Sequence, residues 1–148
     1  MNLRVTSGCL ISIAFLALFS SSCGEGLVIS MNDQIPPTFT YKGNRFAECC
    51  TNLNFFVVSE IDIEGNKPEK EKYIWWIWPN ESRSGDYDHL PAFTYGKVPE
   101  GWRQVVPEQG EPPALMEGKT YAAGGNFHSG QDAHLIFIIR NGKAVWLK

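Results

Sequence analysis

The stretch Tyr73-Ile74-Trp75-Trp76-Ile77-Trp78-Pro79 limits the possible folds more than any other part of the chain. It holds three of the five tryptophans. Aromatic and β-branched residues closed by a proline read as a strand. Both faces of that strand are apolar, so either it is covered on both sides or one face binds something. Side-chain parity divides it. Lys72 and Asn80 share the even side with Ile74, Trp76 and Trp78, and a strand keeps its terminal polar residues on the wetter face. Tyr73, Trp75 and Ile77 are therefore expected in the core, with Trp76 and Trp78 on a partly covered outer face.

The remaining sequence supplies partners of the same kind. Thr38 to Lys42 alternates Phe39 and Tyr41 with polar residues, the pattern of a half-buried strand. Leu53 to Glu64 reads as a longer one, with its odd positions (Leu53, Phe55, Val57, Ser59, Ile61, Ile63) expected inward. Gly65 to Lys70 is a charged, solvated hairpin loop. Short strands follow at Ala92 to Gly96, Gly101 to Val106 and Lys119 to Asn126. Ala133 to Arg140 is apolar on both faces, and Asn141-Gly142 turns it back onto Lys143 to Leu147 as a type I′ hairpin. Nine prolines and 14 glycines punctuate the chain, and no internal repeat or amphipathic helix of more than two turns is visible. About seven to nine short antiparallel strands give an all-β sandwich or barrel.

One local motif favours the sandwich. Leu115-Met116-Glu117-Gly118-Lys119-Thr120-Tyr121 resembles the Leu-x-Pro-Gly-x-x-Tyr of fibronectin type III domains, with Glu117 in place of proline. The resemblance implies an immunoglobulin/fibronectin-III-like antiparallel β-sandwich. In that fold the tyrosine hydroxyl bonds back to the backbone just upstream, and the tryptophan-rich strand would take the place of the core-tryptophan strand.

The N-terminus carries a separate message. Arg4 precedes an apolar run, Cys9 to Phe19, which is 11 residues long. A bilayer-spanning helix needs about 20, so the run fits the apolar region of a signal peptide. Ser20-Ser21-Ser22 and then Cys23 follow. This arrangement resembles the lipobox of bacterial lipoproteins, although Ser20 stands where that family prefers leucine. The resemblance implies cleavage after Ser22 and a diacylglyceryl group on the Cys23 thiol. Stable anchoring takes two acyl chains or more. Gly24 follows the cysteine, with no Asp there to suggest inner-membrane retention, which implies the outer membrane of the cell envelope, facing the periplasm or the surface. The domain organisation is then 1–22 signal peptide, 23–37 lipidated cysteine and tether, and 38–148 β-sandwich. Leu27-Val28-Ile29, inside the tether, either adds an edge strand or lies on the body. As a whole the chain resembles small bacterial lipoproteins of unknown function that carry one such domain.

Chemistry-bearing residues are sparse. The net charge of −3 and the absence of a dense Lys/Arg cluster exclude a nucleic-acid partner. No Gly-x-Ser-x-Gly and no serine or cysteine with a histidine partner is present, no motif asks for a cofactor, and a non-enzymatic module is expected. Export implies an oxidising compartment. Cys49-Cys50 would then be two structural thiols, a strained vicinal disulfide, or a soft-metal or intermolecular bridge. His128, Asp132 and His134 could meet as metal ligands, at a spacing that belongs to no known motif. Together with the cysteine pair they support the alternative of a metal- or redox-handling envelope protein. Asp86-Tyr87-Asp88-His89 lacks the further oxygen ligands that calcium needs. That leaves Trp76 and Trp78, with Tyr87 and possible neighbours Phe93 and Tyr95, as an aromatic platform for an envelope protein or glycan.

Overall fold

A computed structural model describes residues 28–42, 53–64, 67–80, 90–127 and 132–147. Nine strands follow in order: β1 (Val28–Met31), β2 (Thr38–Lys42), β3 (Phe56–Glu64), β4 (Lys67–Pro79), β5 (Phe93–Thr94), β6 (Trp102–Val106), β7 (Thr120–Asn126), β8 (Asp132–Arg140) and β9 (Lys143–Leu147). All pair antiparallel. They form a three-stranded sheet, β1-β2-β5, and a six-stranded sheet, β6-β4-β3-β7-β8-β9. The sheets face each other as a sandwich. The order β3-β7-β8 opposite β1-β2-β5 fits the expected immunoglobulin/fibronectin-III-like plan.

Alternation builds the core. β8 turns Ala133, Leu135, Phe137 and Ile139 inward, and β2 contributes Phe39 and Tyr41. Aromatic rings bridge the two sheets. Phe93 of β5 stacks on Phe56 of β3 at 4.6 Å, and Phe39 meets Phe56 at 5.4 Å and Phe137 at 5.7 Å. Trp75 is fully buried against Tyr95 at 5.6 Å, and its indole N–H donates to Gln104 Oε1 (3.2 Å). The Gln104 amide donates onward to the Pro107 and Gly110 carbonyls, which holds the proline-rich connection against β6.

The tyrosine corner is present. The Met116 N–H donates to Tyr121 Oη at 2.9 Å. Glu117, in the position of the usual proline, has a different use: its carboxylate accepts the N–H groups of Asn141 (2.6 Å) and Gly142 (3.3 Å). That caps the β8–β9 turn, where Asn141 and Gly142 both take positive φ (54° and 68°), as a type I′ turn requires.

Val28–Met31, inside the segment read as tether, is an edge strand paired with β2, one of the two placements its sequence offered, with Ile29 buried. Other expectations are corrected. Positions 67–70, read as loop, belong to β4, and Glu64 pairs directly with Lys67. β7, which carries Tyr121, lies between β3 and β8, and the tryptophan-rich β4 pairs on the far side of β3. On β3 the even residues Phe56 and Val58 face the core, and Phe55 and Val57 face the other way. Both faces of β3 are comparably apolar, so the pattern alone could not choose between them.

Candidate functional site

The outer face of the six-stranded sheet carries the candidate site. In most sandwiches the outward residues alternate as polar ones. Here Phe55, Val57 and Ile61 around β3 point outward, and β8 adds Ile136. On β4 a bulge decides which aromatics join them. Val58 pairs with Trp75 and Ser59 pairs with Tyr73, so Ile74 is the additional residue. A bulge reverses side-chain parity beyond it. Ile74 and Trp75 are therefore both buried, and Tyr73 is turned outward, 48% exposed. The expectation that Tyr73 is a core residue is thus overturned.

Along β4 the outer aromatics form a ladder. Tyr73 lies 5.3 Å from Trp76 and Trp76 lies 5.7 Å from Trp78, at interplanar angles of 54° and 77°. Phe55 packs edge-on to Trp76 at 5.7 Å. The rings stand against one another as a wall and do not form a flat platform. Trp78 is 37% exposed, with the Arg103 guanidinium 5.6 Å above its ring. Trp76 is half-buried, and among the described residues its indole N–H has no hydrogen-bond partner. Phe93 and Tyr95 do not join this wall. Both are buried between the sheets, and Tyr95 Oη donates to the Pro113 carbonyl at 2.7 Å. Tyr87 lies outside the described residues.

Beside the wall runs a groove of about 520 Å³. Its floor is made of small residues: Ser59 on β3, and Ala122 and Gly124 on β7. His134 and Ile136 on β8 form the opposite wall. The groove exists because β7 carries small side chains between larger ones on both neighbours. Gly124 and Gly125 also permit close backbone approach. A Cβ at Gly124 would run into the Ala133 carbonyl oxygen, and one at Gly125 into the Phe55 carbonyl oxygen.

Polar pairs mark the two ends of the groove. At one end the buried Ser59 Oγ donates to Glu71 Oε1 (2.7 Å). At the other, Asn126 Nδ2 donates to Asp132 Oδ1 (2.6 Å). Glu71 pairs with Ile61, next to the Glu60–Tyr121 pair, and Asp132 pairs with Asn126. Glu71 reaches back to Ser59, which pairs with Ala122, so the two carboxylates are separated along the sheet by the run from Ala122 to Asn126, roughly 13 Å of extended chain. Paired carboxylates that hydrolyse glycosides sit roughly 5 to 9.5 Å apart, so Glu71 and Asp132 cannot act as such a pair.

No family model, no curated protein and no solved structure matches the chain.

Asp132 and His134 both line the groove, as their shared strand face implied. His128, the third member of that proposed ligand set, lies outside the described residues. So do Cys49, Cys50 and the lipid-attachment candidate Cys23. Among the described residues no three His, Cys, Asp or Glu side chains converge as a metal site. Reasoning from sequence missed the role of Tyr73 and the small-residue floor of β7. The Thr-Tyr-Ala-Ala-Gly-Gly-Asn run was the available signal, because small residues at alternate positions of a central strand leave space above them.

Proposed function

We propose that this chain is a lipid-anchored, non-enzymatic module of the bacterial cell envelope that binds a partner through the groove on its six-stranded sheet. The anchoring half of the reading rests on the apolar export segment and on Cys23 directly after three serines. The binding half rests on one observation: a sandwich face that would ordinarily be polar instead carries a groove walled by Tyr73, Trp76 and Phe55. Contiguous apolar surface of this kind marks interaction sites, and exposed tryptophan and tyrosine are enriched where binding energy concentrates.

Two measurements test the two halves. Cell fractionation should find the wild-type chain with membranes and Cys23→Ser in the soluble fraction; persistent membrane association of the variant would overturn lipid anchoring. Detergent-extracted envelope material, on which the lipid anchor no longer holds the chain, should retain the wild-type chain and not Ala122→Trp, whose side chain fills the groove floor, nor Tyr73→Ala, which removes an exposed part of the wall. Equal retention of all three would remove the groove as the binding surface.

A further inference from the structure

We infer that the groove takes a neutral oligosaccharide, lying lengthwise along β7. This deepens the proposed function and rests on the groove being the binding surface.

Four features of the groove converge on that ligand class. The first is charge. The ionisable side chains along it are the carboxylates Glu71 and Asp132 together with His134. Among the described residues no lysine or arginine lines it, so phosphates, sulfates, uronates and fatty-acid carboxylates meet repulsion without compensation. The second is the closed backbone of the floor. β3 is paired on both sides by β4 and β7, and β7 by β3 and β8. An extended peptide therefore finds no free sheet edge in the groove, which removes the main-chain hydrogen bonds that give strand addition its affinity.

The third feature is the alternation of apolar and polar surface. Tyr73 and Trp76 offer ring surface along one side, and the Ser59–Glu71 and Asn126–Asp132 pairs stand at the two ends. A sugar chain has that same alternation, with C–H faces that pack on aromatic rings and hydroxyls around its edge. Each hydroxyl can donate to a carboxylate oxygen and accept from an amide. The fourth is shape. Polar ends roughly 13 Å apart along the strand suit a chain of rings and leave a single small ring in contact with only one end. A purely apolar ligand would bury Glu71 and Asp132 without replacing their water, which is costly.

The test uses the full-length chain in detergent, titrated calorimetrically with four probes: neutral hexose tetramers of gluco and of manno configuration, a uronate tetramer, and a cationic hexosamine tetramer. Saturable binding of a neutral tetramer is expected. It should weaken at least tenfold in Tyr73→Ala and severalfold in Glu71→Gln and in Asp132→Asn. Trp146→Ala, at the distant β9 edge, should bind as the wild type does. Preference for the uronate or the hexosamine, or a neutral tetramer whose binding Tyr73→Ala leaves unchanged, would overturn the inference. If Ala122→Trp and Tyr73→Ala abolish envelope retention while no neutral tetramer binds, the ligand class falls and the groove reading stands. If both variants keep full retention, the two fall together.

Discussion

Tyr41 and Tyr121 both carry a hydroxyl toward the interior, with opposite consequences. Tyr121 Oη accepts the Met116 N–H, whereas Tyr41 Oη is buried with no partner among the described residues. A buried polar group without a hydrogen bond costs about 1 to 3 kcal/mol. The Tyr41 ring earns its place through edge contacts with Phe56, Phe93 and Phe127, and a phenylalanine would keep them. Tyr41→Phe should therefore raise stability by about 1 kcal/mol, read as a higher urea midpoint at unchanged slope. The hydroxyl also couples stability to pH. Burial pushes its pKa well above the ordinary 10.0. A group with a raised folded pKa leaves stability intact below the unfolded value and erodes it as pH rises past that value, because the unfolded state releases its proton first. Between pH 9 and 11 the wild-type midpoint should fall, and the Tyr41→Phe midpoint should fall less steeply. Equal slopes would mean that Tyr41 is solvated in the folded state.

At the scale of elements, local chemistry was legible in the sequence and sidedness was not. Asn141-Gly142 and the Tyr121 corner announced themselves because each requires a particular backbone geometry that few residues supply. Alternation alone did not choose the inward face of β8, which reads as apolar on both sides and which the fold turns in at Ala133, Leu135, Phe137 and Ile139. β3 and β4 resisted the same reasoning for a shared reason: each is apolar on both faces, so parity had no anchor, and the bulge at Ile74 then reversed it within β4. The outer aromatic wall is the consequence, so the residues that misled the pattern are the ones that form the candidate site. The glycine pair of β7 belongs to this scale too. A Cβ at Gly125 would meet the Phe55 carbonyl oxygen and lie 2.7 Å from Leu53 Cδ1, so the backbone just before β3 and the buried Leu53 would have to shift. Gly125→Ala should cost about 1 to 3 kcal/mol, as overpacking does. Thermal unfolding would register it as a lowered midpoint; an unchanged midpoint would mean that the start of β3 yields freely.

For the whole molecule, the question is whether two sheets of such unequal size unfold as one. The six-stranded sheet has long strands, up to the 13 residues of β4, while β1, β2 and β5 have 4, 5 and 2 residues. Strands that short are marginal without a packed face, so the small sheet depends on the large one. The dependence is mutual, because Phe56, Trp75 and Phe137 lose their cover if the small sheet leaves. Phe93 concentrates this coupling. It sits on the two-residue strand β5, is fully buried, stacks on Phe56 and meets the Trp102 ring at 5.0 Å. If the core is shared, Phe93→Ala should destabilise the entire molecule by about 3 to 5 kcal/mol, although it alters a strand with few backbone hydrogen bonds of its own. Tryptophan fluorescence reports the large sheet, which holds all five tryptophans, and far-ultraviolet circular dichroism reports both sheets. The two signals should trace one coincident transition in the wild type and, in Phe93→Ala, a coincident transition at lower denaturant. If circular dichroism showed an early partial loss while fluorescence held, the small sheet would be a separately melting flap, and the groove on the far face would be independent of it.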